Sequence, residues 1–147
     1  MFRKSPLAAA ILVLGATPVL ADSFSLQGQS GQQNNAVVEQ FGGRANVVQA
    51  QTGFQNDARS VQIGSAGSVG QAQIGSDNRL DAGQYMAGSG SLIKQFQDGH
   101  ANDGQANQSG GRSNSIWQVQ QGHGNDSSVD QLGGAHNTAT TRQQGSH

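Results

Sequence analysis

Glutamine recurs at Gln29, Gln40, Gln51, Gln62, Gln73, Gln84 and Gln95, seven times at an unbroken spacing of eleven, and then at Gln108, Gln120, Gln131 and Gln143. A chain that repeats itself at a short fixed period is one supersecondary unit stacked on copies of itself, so this column constrains the fold before any local propensity does. Two residues after the glutamine stands glycine in nine cases: Gly31, Gly42, Gly53, Gly64, Gly75, Gly110, Gly122, Gly133 and Gly145. About two would fall there by chance at this glycine content. Met86 and Gln97 break the glycine column. Six residues before the glutamine stands Asn34, Asn56, Asn78, Asn102, Asn114, Asn125 or Asn137, and otherwise Ser23, Ala45, Gly67 or Ser89. In the first part of the chain asparagine and the small residues alternate, each returning every 22 residues, so one coil is read as two segments.

The places where the spacing slips separate strand from turn. From the asparagine column to its glutamine the distance is always six, whereas the gap to the next column residue holds four residues usually, six after Gln95, and five after Gln108 and Gln131. A strand cannot absorb one extra residue without turning its side chains to the opposite face, while a turn can. The six-residue spans are therefore read as strands, and the glycine-containing gaps as turns that use positive φ. Eleven residues also make three helical turns, so the period alone does not exclude helix; the density of glycine and asparagine does.

Within each span the alternate positions form one face, for example Asn34, Ala36, Val38 and Gln40, or Asn56, Ala58, Ser60 and Gln62. None of the 44 positions sampled this way carries Asp, Glu, Lys, Arg, His or Pro. About five charges would land there at random, so the face is read as dry. Only 33% of the residues are apolar and none is cysteine, so neither an oily core nor a disulfide framework holds the chain. Inward amides make sense if each strand lies beside the next at ~4.8 Å, because identical side chains then stack into ladders that donate above and accept below. An isolated inward glutamine would instead cost about 1 to 3 kcal/mol. The expected fold is an all-β repeat β-solenoid of strand-turn-strand coils of about 22 residues, able to form amyloid.

Residues 1–21 are read as a secretory signal peptide: Arg3 and Lys4, the apolar run Leu7 to Leu14, and a small-residue exit with Val19 and Ala21, which places cleavage after Ala21. Residues 22–147 are then the repeat domain, destined to leave the cytoplasm. The formal charge is −1, and without Arg3 and Lys4 six bases face nine acids, so no basic field is available for nucleic acid.

The run Gln51-Thr52-Gly53-Phe54-Gln55-Asn56-Asp57-Ala58-Arg59-Ser60-Val61-Gln62 follows Q-x-G-x-x-N-x-A-x-x-x-Q, the curlin repeat, and Gln131 to Ala139 follows it with one insertion. From Ser23 to Gly145 the chain resembles the curlin family, the subunits of the bacterial surface amyloid called curli. The resemblance implies a β-solenoid whose open ends template further subunits, with the glutamine, Ser/Asn and glycine columns shaping it. It also implies three partners: other copies of the chain, a nucleator or major-subunit curlin, and an outer-membrane secretion pore. Family members often carry a longer nonrepeating segment after the leader, whereas here the repeats begin near Ser23. The implied function is a structural subunit, major or minor, of an extracellular fibre that supports adhesion and biofilm matrix. A monomeric secreted β-solenoid adhesin or matrix-binding module is the rival reading. Asp and Glu recur in no column, so no enzyme activity, catalytic residue, metal site, cofactor or small-molecule substrate is expected.

Overall fold

The computed structural model describes residues 11–14, 23–64, 66–87 and 89–146. Its twelve strands alternate between two sheets. The odd sheet holds β1 (Ile11–Leu14), β3 (Asn35–Phe41), β5 (Asp57–Gly64), β7 (Arg79–Ala87), β9 (Asp103–Ser109) and β11 (Asp126–Leu132). The even sheet holds β2 (Phe24–Gln32), β4 (Asn46–Phe54), β6 (Gly67–Ser76), β8 (Ser91–His100), β10 (Ser115–His123) and β12 (Thr138–Ser146). Every pairing is parallel and each strand lies on the one two places earlier, so the chain is an all-β parallel β-solenoid of about five turns of about 23 residues. No helix occurs among the described residues, and none is therefore long and apolar enough to cross a membrane.

Register follows the columns. Phe24 pairs with Asn46, Asn46 with Ser68, Ser68 with Leu92, Leu92 with Ser115 and Ser115 with Thr138. The two residues that lengthen the fourth coil lie before β8, not after Gln95 as the spacing predicted. Ile63 pairs with Tyr85 but Gly64 with Ala87, so Met86 is squeezed out of register, with φ of 49° and 81% of its surface exposed. A bulge at the strand end and a longer turn absorb the excess, which leaves β8 in phase with its neighbours. In consequence Gln97, not Gln95, occupies the glutamine column, Ser91 replaces Ser89 in the small-residue column, and Gly99 fills the glycine column that seemed broken at Gln97.

Alternate side chains point inward, as the burial of β4 and β6 shows. The apolar core is a thin row of Val38, Val47, Val69, Ala82, Ile93, Ala106 and Ile116. Among the described residues 21 buried side chains are polar and 12 apolar, so hydrogen bonding carries much of the interior. Val61 departs from the parity, lying buried on the outward face. Part of the apolar run read as a leader, Ile11 to Leu14, forms β1 on the Asn35–Val38 edge of β3. The expected cleavage after Ala21 lies outside the described residues.

Candidate assembly edges and the amide ladders

Three glutamine ladders run up the stack. On the odd sheet Gln40 donates to Gln62, Gln62 to Gln84, Gln84 to Gln108 and Gln108 to Gln131, at 3.1, 2.7, 3.0 and 3.0 Å. On the even sheet Gln29, Gln51, Gln73, Gln97, Gln120 and Gln143 follow in the same sense, at 2.7 to 3.0 Å. The third ladder lies two residues earlier on the same strands: Gln27, Gln49, Gln71, Gln95 and Gln118, at 2.7 to 3.0 Å. Gln95 thus belongs to a ladder, but not to that of Gln73. The repeated doublet Q-x-Q at Gln27/Gln29, Gln49/Gln51, Gln71/Gln73 and Gln118/Gln120 is the sequence signal that assigns Gln95/Gln97 to its register.

The second amide hydrogen crosses the sandwich. Gln51 donates to the Asn35 carbonyl at 2.8 Å, Gln73 to Asp57 at 2.9 Å and Gln120 to Asp103 at 2.7 Å. Glutamine is long enough to reach the opposite backbone while stacking on its own kind, and both donors are then satisfied in a dry interior. A buried donor left without a partner costs more than the bond itself yields, which makes the ladder a device that tolerates no gap.

Asparagine closes the turns that lead into the odd sheet. Asn56, Asn78, Asn102 and Asn125 each donate from Nδ2 to the Oδ1 of the preceding member, beginning at Asn34, at 2.9 to 3.2 Å. The same nitrogen of Asn56 reaches the carbonyls of Thr52 and Gly75 at 3.3 and 3.0 Å, tying one turn to the next. A shorter ladder serves the opposite turns, where the Asn137 backbone N–H donates to Asn114 Oδ1 at 3.1 Å. The glycine column has a steric cause: at Gly53, φ is 125° and a Cβ would run into the Gly75 carbonyl oxygen of the next coil. Gly31, Gly42, Gly64, Gly75, Gly122 and Gly145 share its φ range, whereas Gly110 and Gly133 sit in longer turns at φ of 69° and 65°. Sequence reading missed the left-handed residues that stand shortly before strands of both sheets, such as Gln33, Gln55, Asp77 and Ala101. The residue types there share no property that marks the conformation.

The outer faces differ. On the odd sheet Arg79 lies 3.8 Å from Asp103, with Asp126 in the next coil. Burial pushes the Asp103 carboxyl above its ordinary value against the pull of Arg79, and Asp126 and Asp81 push the same way as burial. On the even sheet Val48, Ala50, Phe96, Trp117 and Val119 line a shallow groove of about 510 Å³, with Lys94 5.8 Å from the Trp117 ring centre. The His100 and His123 rings lie 4.9 Å apart, tilted by 39°, with Asp77 beside His100, and no group of metal-binding side chains occurs among the described residues.

The ladders reach both ends of the stack. Among the described residues, β2 and β12 leave one edge each on the even sheet, β11 leaves one on the odd sheet, and β3 is overlain only by the four residues of β1. Comparison with protein-family models, with curated proteins and with solved structures finds no match for this chain.

Proposed function

We propose that this chain is a curlin-like structural subunit of an extracellular functional amyloid fibre, secreted after loss of residues 1–21 and assembled end to end. The carrying observation is that the glutamine ladders run without a break to open edges, so the same bonds that hold one coil on the next can hold one molecule on another. The interior amides are engaged with one another and with the backbone, which supports a structural role for them. An outer-membrane pore for export and a nucleating or major-subunit curlin are the partners this reading adds, with roles in adhesion and biofilm matrix. Fibres grown from the secreted chain should give a meridional reflection near ~4.8 Å, and preformed seeds should abolish the lag in growth. A folded chain that stays monomeric at high concentration with seeds present would remove the fibre reading.

The groove beside Trp117 favours a second reading, a monomeric adhesin that uses this apolar face to grip a matrix component. Seeded growth separates the two directly.

A further inference from the structure

We infer that successive copies of the segment 22–147 join with a half-turn about the solenoid axis between one copy and the next. The inference rests on the fibre reading and adds the geometry of its junction.

Strands alternate between sheets along the chain, and from β2 to β12 there are eleven of them. After an odd number the next strand position lies on the odd sheet, over β11, not over β12. A copy that is merely translated would set its β2 on β12 and leave the position over β11 empty. A copy given a half-turn sets its β2 on β11 and its β3 on β12, and the coil continues in parallel with no strand missing.

The side chains select the half-turn. In its register Gln131 meets Gln29 of the next copy, Gln143 meets Gln40, and Asn137 meets Asn34, so three amide columns continue. Two buried polar atoms on β2 have no partner among the described residues, Ser25 Oγ and Gln27 Oε1. With the half-turn Ser25 comes to lie over Ser127, a hydroxyl; under translation it would lie over Ala139, which offers nothing. Gln27 has a precedent inside the molecule: Ser60, two residues before its column glutamine, donates to Gln71 Oε1 on the next strand at 2.8 Å. Thr141 stands in that same relation to Gln27 of the incoming copy, and translation would also bring Thr141 to Gln27 within one column, so the choice between the junctions rests on Ser25, Arg142 and the amide columns. On the outer face Arg142, which joins none of the ion pairs among the described residues, comes opposite Glu39. Translation would set Arg142 against Gly28. β1 occupies the β3 edge that an incoming β12 needs, so this junction forms only once that segment is gone.

The chain has no cysteine, so introduced thiols are unique. Thr140→Cys, Val37→Cys and Leu26→Cys all lie on outward faces, and circular dichroism checks that each variant keeps its β-structure. Secreted chains of two variants are mixed, grown into fibres and treated with a short bis-thiol cross-linker. The half-turn places Thr140 beside Val37 of the next copy and puts Leu26 on the opposite face of the fibre. Covalent dimers are expected from Thr140→Cys with Val37→Cys and should be lost from Thr140→Cys with Leu26→Cys. The reverse pattern, equal yields, or dimers within a single variant would overturn the half-turn while leaving the fibre reading intact. Failure of folded chains to form fibres at all would overturn both.

Discussion

A Cβ at Gly53 meets the carbonyl oxygen of Gly75, whereas a Cβ at Gly133 meets nothing within 4 Å. The two glycines share a sequence column but not a physical role. Gly53→Ala should cost about 3 kcal/mol or more, because φ and contact both oppose it, and Gly133→Ala about 1 kcal/mol for the left-handed φ alone. Urea unfolding of the two variants measures the difference. Gln62 donates to Gln84 at 2.7 Å and accepts from Gln40, so Gln62→Leu strands the Gln84 acceptor in the interior at about 1 to 3 kcal/mol. Gln55 is exposed in a turn, and Gln55→Leu should move stability by no more than ~0.5 kcal/mol. Seeded growth should slow in the same order, and equal effects would refute the assignment of Gln62 to a ladder.

At the scale of the element, tolerance to length divides along the boundary between turn and strand. Deleting Met86 shortens a bulge and should leave a cooperative fold, whereas deleting Lys94 moves half of β8 to the wrong face and should abolish cooperative unfolding. Thermal unfolding followed by circular dichroism reads both. The stacked carboxylates of β9 and β11 supply a pH response. The Asp103 carboxyl is raised above 3.8, chiefly by burial, so the fold favours its protonated form. Its stabilising contribution is full at acidic pH and is lost as pH rises through the raised value. Asp103→Asn should therefore stabilise the protein most at neutral pH, with an advantage that shrinks on acidification. Unfolding free energies measured across that range would contradict this sign if the advantage grew towards low pH. Arg79, 3.8 Å away and itself exposed beside the half-buried Asp103, offsets only part of the effect because solvent screens the pair.

For the whole molecule, the proposed junction makes the parity of the strand count the quantity that sets how copies would meet. Ending the chain after Leu132 removes β12 and leaves the ten strands β2 to β11, an even number for which the proposed junction expects stacking by translation. Fibres of the full processed chain should repeat along the axis every two subunits, and those of the shortened chain every one. Helical reconstruction from electron micrographs measures that repeat. A shared repeat in both would separate parity from assembly.

The period of eleven, the parity of dry positions and the small or amide character of the columns were legible in the chain itself, because they reflect a constraint every coil meets alike: identical neighbours at one strand spacing. Composition showed that amides, not a thick apolar layer, had to fill the interior. The placement of Gln95 was not legible from spacing, since a two-residue excess can be assigned to either side of a strand; the Q-x-Q doublet carries the register, and pairing with β6 and β10 puts Gln97 in its column. The left-handed residues before the strands carried no signal either, for the turn imposes that φ on whatever residue stands there, Gln55 and Asp77 alike. Tertiary structure alone decided the reach of glutamine across the sandwich, because it depends on how far apart two sheets settle once both are packed.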